Sequence, residues 1–367
     1  MPPLSLMIKP VSGNCNMRCR YCFYADVAKN RAISTYGVMT EKMLETLVRR
    51  ALSYADDSCS FAFQGGEPTL AGLTFFQKLI AYESRYNTRN LILHNSIQTN
   101  GYDMTDEMAA FLAEHHFLVG VSLDGVKETH DKMRVSASGA GTYDRVLSCL
   151  KKLKKAGVEF NVLCVVTRYV AQHPKETFEA LSPYGYIQYI PCIDDFGAGP
   201  LDHSLTSRTY AQFLIKTFDL YHRAFSAGRF VSVRAFDNYI DILMGQPPEN
   251  CAMCGRCSVY YLVESDGSVY PCDFYVLDQF RMGNLQTQSF FTLEKSPIAQ
   301  AFRQASFAIS DQCSHCKWFI LCRGGCRRDR EPIESERLSL NKWCESYRAL
   351  FDYAYPQMLD MAKKLMT

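Results

Sequence analysis

Short apolar runs alternate with amphipathic stretches along the first half of the chain. The runs predict six strands, at residues 4–8, 60–63, 90–98, 117–123, 159–166 and 186–193. Between them, apolar residues recur every three or four positions, which predicts helices at 41–55, 73–86, 142–155 and 175–181. A further helix is expected after Thr105, an N-cap residue followed by two acidic residues. Strands that alternate with helices indicate a parallel sheet with helical crossovers, in which ligands bind beyond the carboxyl ends of the strands.

This pattern changes near residue 210. Helical periodicity follows at 210–225 and 236–244, and the Gln-Pro-Pro segment at 246–248 interrupts it. Two short apolar runs, at 259–264 and 268–270, then flank Asp266 and Gly267, which predicts a β-hairpin. We therefore expect an α/β domain with a linking helix at 1–235 and a smaller, cysteine-rich domain with a hairpin and helices at 236–367.

Polar or glycine-rich segments follow the first four predicted strands. They are a cysteine-containing loop at 15–22, Gln-Gly-Gly-Glu-Pro at 64–68, Thr-Asn-Gly at 99–101 and Asp-Gly at 124–125. Glycine lets a backbone approach a ligand closely, which favours a binding site at this edge of the sheet. Ordinary turns between strands and helices are also rich in Gly and Asn, so one such segment alone would be weak evidence.

Composition and charge restrict the class of protein. The 367 residues are 47% hydrophobic and 21% charged, which indicates a folded chain, and the net charge of +2 gives no reason to expect nucleic acid or an anionic membrane as a partner. The N-terminus lacks the apolar region of a secretory signal, and no stretch reaches the roughly 20 apolar residues of a membrane span. We therefore expect a cytoplasmic protein whose 16 cysteines bind metal or do chemistry rather than form disulfides.

Three cysteines follow the first predicted strand: Cys15, Cys19 and Cys22. They supply one ligand fewer than the four that close a zinc or [4Fe–4S] site. A four-iron cluster held by three thiolates leaves one iron open to a small molecule, which points to a catalytic centre. A zinc ion completed by a distant cysteine or histidine is the alternative.

Nine further cysteines lie between residues 251 and 344, namely Cys251, Cys254, Cys257, Cys272, Cys313, Cys316, Cys322, Cys326 and Cys344. Nine thiols exceed two four-thiolate sites by one, and the count fits two zinc sites as well as two iron–sulfur clusters. The other four stand in apolar or helical contexts, at Cys59, Cys149, Cys164 and Cys192. Free cysteine behaves there as a small hydrophobic residue, so we expect these four in the core.

The Cys-x3-Cys-x2-Cys loop, with aromatic Tyr21 and Phe23 and the later Gly-Gly-Glu-Pro at 65–68, resembles the radical S-adenosylmethionine enzymes over residues 3 to about 195. The resemblance implies a partial (β/α)6 barrel and a cluster whose open iron chelates S-adenosylmethionine, which is then cleaved to a 5′-deoxyadenosyl radical. By position in matching motifs, the cofactor contacts would be Tyr21, Gly66, Ser122, Arg134 and Ile193. On physical grounds, a side chain at Gly66 would block the ligand and Arg134 would meet its carboxylate, although a surface ion pair is the alternative for Arg134.

The order Cys-x2-Cys-x5-Cys-x3-Cys-x17-Cys near the C-terminus resembles the SPASM extension of peptide-modifying radical enzymes. This resemblance implies two auxiliary [4Fe–4S] clusters, and therefore three clusters in all. One would take Cys251, Cys257, Cys272 and Cys326, and the other would take Cys313, Cys316, Cys322 and Cys344. Cys254 is left over, and the alternatives for it are a structural thiol and an alternative cluster ligand.

Longer strings resemble the anaerobic sulfatase-maturating enzymes across nearly the whole chain. They lie at 60–72, 118–125, 263–275 and 316–328. Members of this family oxidise an active-site Cys or Ser of an unfolded sulfatase, within a Cys/Ser-x-Pro-x-Arg segment, to Cα-formylglycine after a hydrogen atom is taken from Cβ. The unfolded sulfatase would be the partner, together with an electron donor such as ferredoxin or flavodoxin.

The same matching implies roles for three residues near the substrate. Asp273, next to Cys272, would be the general base that removes the heteroatom proton, and Tyr24 and Gln64 would contact the peptide. The alternatives are a turn aspartate at the hairpin end, core packing for Tyr24 and turn capping for Gln64.

Two other functions compete with sulfatase maturation. A related SPASM maturase would cross-link or epimerise another ribosomal peptide. Many such enzymes carry an added N-terminal recognition domain, whereas the first predicted strand here starts by Leu4. This difference favours the sulfatase hypothesis. A zinc-stabilised binding protein would hold zinc in place of iron and would be colourless. About twelve irons per chain, as three four-iron clusters require, would distinguish the enzyme from it.

Overall fold

The computed structural model describes residues 3–196, 199–330, 333–334 and 337–366. Its strands are β1 Leu4–Ile8, β2 Ser58–Phe63, β3 Ile92–Thr99, β4 Leu118–Ser122, β5 Phe160–Val166, β6 Tyr186–Pro191, β7 Ser232–Val233, β8 Leu262–Val263, β9 Ser268–Tyr270, β10 Gly283–Asn284, β11 Ile333–Glu334 and β12 Arg337–Leu338. Its α-helices are α1 Phe23–Lys29, α2 Glu41–Tyr54, α3 Leu73–Tyr86, α4 Asp106–Glu114, α5 Lys127–Met133, α6 Tyr143–Ala156, α7 Arg168–Ala171, α8 Pro174–Leu181, α9 Ser207–Ser226, α10 Arg234–Leu243, α11 Phe290–Glu294, α12 Pro297–Ser306, α13 Asp311–Ser314, α14 Phe319–Cys322 and α15 Cys344–Met366.

The six strands predicted from the apolar runs correspond to β1 to β6, with small shifts at their ends. One shift has a clear cause, because the side chain of Asn87 accepts a hydrogen bond from the Leu91 amide at 2.8 Å and donates one to the Leu91 carbonyl at 2.9 Å. This turn places Asn90 at a φ of 54°, so β3 begins at Ile92 rather than at residue 90. The sequence pattern does not predict α1, since its seven residues are too few to show a helical period.

The described residues divide into two compact units. The first unit holds residues 3–122, 131–160 and 259–301, and the second unit holds the remainder. Each unit is therefore assembled from separate stretches of the chain. The domain boundary predicted between residues 235 and 236 stays a prediction.

The first unit contains a mixed sheet with the strand order β10-β9-β8-β1-β2-β3-β4. The run from β8 to β4 is parallel, whereas β9 pairs antiparallel with both β8 and β10. The predicted hairpin is confirmed, because β8 and β9 are joined through Asp266 and Gly267, and Gly267 has a φ of 87°. This hairpin brings a late segment of the chain beside the first strand.

Aromatic packing fills much of the core of the first unit. Phe63 at the end of β2 lies edge-on to Phe75 and Phe76 of α3, with ring centroids 6.0 and 5.3 Å away, and Phe76 lies 6.1 Å from Phe117. Burial of each such ring contributes about 1.5–3 kcal/mol. Helix α2 covers the same side of the sheet as α3, and Thr40 caps its first turn by accepting a hydrogen bond from the Met43 amide.

In the second unit, β5, β6 and β7 pair in parallel in that order. Helix α9 begins with a capping box formed by Thr206 and Thr209, and it packs along α15. Tyr210 of α9 meets Trp343 at a ring-centroid distance of 5.1 Å, which fixes the segment just before α15. No helix in the described ranges is long and apolar enough to cross a membrane.

The expectation that four single cysteines lie in the core is confirmed. Cys59 and Cys149 in the first unit, and Cys164 and Cys192 in the second, are at most 2% exposed. Burial raises the pKa of Cys59, Cys149 and Cys192 to about 12. These thiols therefore stay protonated and unreactive near neutral pH.

Glu83 in α3 makes the stability of the protein depend on pH. This buried carboxylate accepts a hydrogen bond from Asn95 at 3.0 Å, and burial raises its pKa to about 7. An unfolded chain releases the same proton near pH ~4.3. Between these pH values only the folded state binds the proton, so the contribution of Glu83 to stability falls as the pH rises from about 4.3 to about 7.

We expect Glu83→Gln to remove this pH dependence and to raise the free energy of unfolding at pH 8 by about 1–3 kcal/mol. Anaerobic urea unfolding at pH 5 and pH 8 measures the effect. Glu114→Gln, which changes an exposed carboxylate of α4, is the matched control. We expect it to leave the free energy of unfolding at pH 5 and at pH 8 as in the wild type. An unaltered pH slope in Glu83→Gln would contradict the prediction.

Candidate active site

A loop after β1 carries the three N-terminal cysteines. Cys15, Cys19 and Cys22 are all partly exposed, and Cys22 is the residue that precedes the first turn of α1. The Met17 amide lies 3.4 Å from Cys15 Sγ, and Asn100 Nδ2 lies 3.6 Å from the same sulfur. The loop therefore presents three reachable thiols and two N–H donors, which is a donor set that suits an iron–sulfur cluster.

The Gly-Gly-Glu-Pro segment holds this loop in place. A Cβ added at Gly66 would lie 2.2 Å from the Asn14 carbonyl oxygen, and the Glu67 amide donates to that oxygen at 2.8 Å. The sequence predicts that a side chain at Gly66 would block a ligand. In the structure, such a side chain would collide first with the backbone of the cysteine loop. Gly66 is therefore required by the loop, whatever else binds there.

Glu67 ties the segment to the end of β3. Its buried carboxylate accepts hydrogen bonds from Thr99 Oγ1 at 2.8 Å, from the Asn100 amide at 2.7 Å and from Thr69. The sequence pattern indicates the segment 99–101 but not Asn100 in particular. In the structure, the Asn100 amide bonds Glu67 and its side chain lies near Cys15 Sγ. The signal that could have identified Asn100 is an asparagine directly after a strand, at the edge of the sheet where ligands bind.

Among the predicted cofactor contacts, Tyr21 and Arg134 lie together. Arg134 Nη1 donates to the Tyr21 hydroxyl at 2.8 Å, and both residues are less than 10% exposed. The alternative of a surface ion pair for Arg134 is therefore wrong. Ser122, at the end of β4, accepts a hydrogen bond from Gln98 at 3.1 Å, and Ile193 follows β6 in the second unit. Their assignment as S-adenosylmethionine contacts stays a prediction.

Gln64 bonds Tyr24 in the first unit, and the segment that carries Asp273 packs against α1, the helix that holds Tyr24. Gln64 Nε2 donates to the Tyr24 hydroxyl at 2.7 Å. Phe274, next to Asp273, packs on Phe23 at a ring-centroid distance of 5.0 Å, and Cys272 Sγ lies 3.3 Å from Asp273 Oδ1. Burial raises the pKa of Asp273, and it raises the pKa of Tyr24 well above its ordinary value, so the phenol stays a donor. Gln64 thus bonds Tyr24 rather than capping its own turn.

Four C-terminal cysteines of the second unit line one cavity of about 530 Å³, namely Cys313, Cys316, Cys322 and Cys344. Short helices position them: Ser310 caps α13 around Cys313, and Cys344 begins α15. Four thiols that line one cavity are the ligand number of a closed [4Fe–4S] site, so the residue set fits this group.

The remaining ligand candidates lie in both units. Cys251, Cys257 and Cys326 are near one another in the second unit, whereas Cys272 belongs to the first unit and immediately precedes Asp273. Cys254 is exposed, and its thiol points to the carbonyls of Pro248 and Asn250 in its own loop, at 3.8 and 3.6 Å.

Comparisons with known proteins define the class. The Radical SAM superfamily matches residues 10–181, and an iron-sulfur cluster-binding domain, SPASM, matches residues 251–317. The chain is thus a radical S-adenosylmethionine enzyme with a SPASM extension and [4Fe–4S] clusters. The predicted α/β fold class and cofactors are confirmed, and the zinc-stabilised binding protein is excluded.

Full-length relatives narrow the assignment. The chain is 43% identical over 369 residues to a cysteine-type anaerobic sulfatase-maturating enzyme of Clostridium perfringens, and the match covers all of both chains. It is 30% identical to a serine-type enzyme of Bacteroides thetaiotaomicron, and this match covers 99% of this chain and 92% of the relative. A solved structure described as native anSMEcpe with bound AdoMet and Cp18Cys peptide matches 99% of this chain and 100% of its own at 43% identity and a TM-score of 0.95. The chain belongs to the anaerobic sulfatase-maturating enzymes, which confirms the predicted family and enzyme class.

The close approach at Gly66 makes a testable case. We expect Gly66→Ala to push the cysteine loop away, to lose about four irons per chain and to abolish 5′-deoxyadenosine formation. Iron analysis and chromatography of the nucleoside measure both. Gly72→Ala is the matched control, since Gly72 also has a positive φ but no neighbouring atom within 4 Å of an added Cβ. Retained iron and nucleoside formation in Gly66→Ala would refute the packing argument.

The four-thiol cavity predicts a different loss. Cys316→Ala removes one of its lining thiols, so we expect about four irons fewer per chain. The N-terminal loop lies in the other unit, and for that reason 5′-deoxyadenosine formation continues. Cys254→Ala, which removes an exposed thiol outside the three proposed ligand sets, is the control and should leave the iron content unchanged. Unchanged iron content in Cys316→Ala would show that the cavity is not a cluster site.

Proposed function

We propose that the enzyme converts a cysteine in a Cys-x-Pro-x-Arg segment of an unfolded sulfatase to Cα-formylglycine, with Asp273 as the base. The choice of cysteine over serine is supported by identity, which is 43% to the cysteine-type relative and 30% to the serine-type one. The choice of base is supported by one contact: Phe274, next to Asp273, packs on Phe23 in the segment that follows the third cysteine of the N-terminal loop, at a ring-centroid distance of 5.0 Å.

Cys15, Cys19 and Cys22 would hold the catalytic cluster. When bound, the cluster and S-adenosylmethionine supply a radical that takes one hydrogen atom from the substrate Cβ. Arg134 would bind the carboxylate of S-adenosylmethionine, and Tyr21 would orient the guanidinium through their 2.8 Å hydrogen bond. Gly66, Ser122 and Ile193 would complete the cofactor contacts.

Asp273 would accept the thiol proton of the substrate at its carboxylate as the substrate loses one further electron, for which a bound auxiliary cluster would be the acceptor. Water would then hydrolyse the resulting thioaldehyde to the aldehyde, with release of sulfide. Its raised pKa brings the carboxylate closer to the working pH, which makes it a better base. Gln64 donates to Tyr24 of α1 at 2.7 Å. Phe274 packs on Phe23 of the same helix at 5.0 Å, so α1 holds the segment that carries Asp273. Tyr24 and Gln64 would also contact the peptide, since both are partly exposed.

The C-terminal cysteines would form two ligand sets, one for each auxiliary cluster. Cys313, Cys316, Cys322 and Cys344 would hold one cluster, and their shared cavity supports this set. Cys251, Cys257, Cys272 and Cys326 would hold the other. A small redox protein such as ferredoxin or flavodoxin would be the electron donor, and a reducing cytoplasm would keep the thiols available.

The activity is tested with anaerobically reconstituted enzyme, S-adenosylmethionine, a reductant and a Cys-x-Pro-x-Arg peptide. We expect the mass change of thiol-to-aldehyde conversion, and a higher kcat/KM than with the Ser-x-Pro-x-Arg peptide. Consumption of S-adenosylmethionine beside an unchanged peptide would overturn the proposed function. Equal kcat/KM for the two peptides would overturn only the preference for cysteine.

The base is tested by Asp273→Asn. The amide keeps the size of the side chain but cannot accept the proton, so we expect formylglycine formation to fall by about 10²- to 10⁴-fold. Iron content and 5′-deoxyadenosine formation stay as in the wild type. Asp360→Asn, at an exposed carboxylate of α15, is the control. Wild-type formylglycine formation in Asp273→Asn would remove this residue as the base.

A further inference from the structure

The side-chain amide of Asn100 points at the first cysteine of the N-terminal loop. Asn100 directly follows the last residue of β3 and is 7% exposed, and its Nδ2 atom lies 3.6 Å from Cys15 Sγ. The Met17 amide, a backbone donor, lies 3.4 Å from the same sulfur. Of these two donors, the Asn100 amide is the one that a side-chain substitution removes, so its effect on the sulfur can be measured.

Hydrogen bonds on both sides fix which atom of the Asn100 amide faces Cys15. Its Oδ1 atom accepts a hydrogen bond from the Tyr102 amide at 2.8 Å, so its Nδ2 atom lies on the other side of the amide. There Nδ2 donates to Asn16 Oδ1 at 2.8 Å, and Asn16 Nδ2 donates in turn to Asp103 Oδ2 at 3.1 Å. A carboxylate accepts hydrogen bonds, which sets the orientation of Asn16 and therefore that of Asn100. One Nδ2 hydrogen goes to Asn16, and the second is directed at Cys15 Sγ.

The backbone of Asn100 is anchored independently of its side chain. Its amide donates to the buried carboxylate of Glu67 at 2.7 Å, and the Glu67 amide donates to the Asn14 carbonyl of the cysteine loop at 2.8 Å. These two bonds hold the end of β3 beside the loop. A substitution that changes only the side chain of Asn100 therefore leaves both segments anchored through Glu67.

An N–H donor on a sulfur ligand changes the reduction potential of an iron–sulfur cluster. Reduction adds one electron, which the electron donor supplies, and it increases the negative charge on the sulfur ligands. A hydrogen bond to a sulfur stabilises this more negative state, so the midpoint potential rises. Because Asn100 is buried, the low local dielectric strengthens the bond relative to one in water.

We propose that Asn100 raises the reduction potential of the catalytic cluster: its Nδ2–H group donates to Cys15 Sγ and so makes the cluster easier for the electron donor to reduce. This inference rests on the proposal that Cys15, Cys19 and Cys22 hold that cluster. Asn100 thereby acts through a cluster ligand on the entry of the electron, whereas the residues proposed above act on cofactor binding and on the substrate proton.

Asn100→Ser separates the donor from the turn. A serine hydroxyl can accept from the Tyr102 amide as Asn100 Oδ1 does, but it ends one bond short of the Nδ2 atom. We expect the iron content of the wild type and a lower midpoint potential. At the wild-type midpoint, the ratio of reduced to oxidised cluster should be about 3- to 10-fold lower, which corresponds to a shift of about 30–60 mV. A potentiometric titration of the reconstituted enzyme, followed by electron paramagnetic resonance, measures the midpoint.

Two further variants make the measurement specific. Cys19→Ala removes one proposed ligand of the N-terminal cluster, so the resonance that is missing from its spectrum identifies that cluster among the three. Asp103→Ala breaks the bond from Asn16 and the ion pair with Arg145, but it leaves the bond from Asn100 to the sulfur. It is therefore the matched control for a loosened loop, and we expect it to keep the wild-type midpoint.

The outcomes separate this inference from the proposed cluster ligands. A lower midpoint in Asn100→Ser beside a wild-type midpoint in Asp103→Ala supports the role of Asn100. An unchanged midpoint in Asn100→Ser, or an equal shift in Asp103→Ala, overturns that role and leaves the cluster ligands in place. If Asn100→Ser does not retain its iron, Asn100→Thr, whose methyl group fills more of the vacated space, replaces it under the same criteria. A complete spectrum in Cys19→Ala overturns the proposed ligands and, with them, this inference.

Discussion

The close packing of the segment 9–22 against the strand-end segment 64–67 is the constraint on which the candidate active site depends. Gly65 admits the stem of Lys9, Gly66 admits the Asn14 carbonyl, and the Glu67 amide bonds that same carbonyl. A side chain at Gly66 would collide with the backbone of the cysteine loop, and one at Gly65 would collide with the side chain of Lys9. The cysteine loop, the stem of Lys9 and Gln64, which bonds Tyr24, all lie at this contact.

The local parts of this site can be predicted from the sequence. Cysteine spacing, strand-end glycines and apolar periods are short-range patterns, and they locate the first six strands, the hairpin and the thiols. The pairing of Lys9 with Glu264 cannot be predicted in this way, because it spans 255 residues and depends on β8 joining the edge of β1. The bond from Gln64 to Tyr24 depends likewise on how two loops pack.

Cysteine shows how strongly the environment decides the role of one residue type. The core thiols Cys59 and Cys149 have pKa values raised to about 12 by burial and contact apolar neighbours, so they add packing and no chemistry. Cys15, Cys19 and Cys22 stand on a partly exposed loop with N–H donors aimed at Cys15. Spacing alone separates these groups correctly, since loop cysteines cluster whereas core cysteines stand singly.

Two carboxylates near the β8–β9 hairpin, Glu264 and Asp273, show that the environment also decides the role of a charged residue. Glu264 lies between Lys9 and Arg31, which hold its pKa below the ordinary value, so it remains an anion and fixes Lys9. Asp273 follows the next strand, and the hydrogen bonds it accepts only partly offset burial, so its pKa rises. Carboxylates whose pKa values are pushed apart take different roles. The net charge of +2 conceals this division, because the chemistry depends on where single charges are buried rather than on their sum.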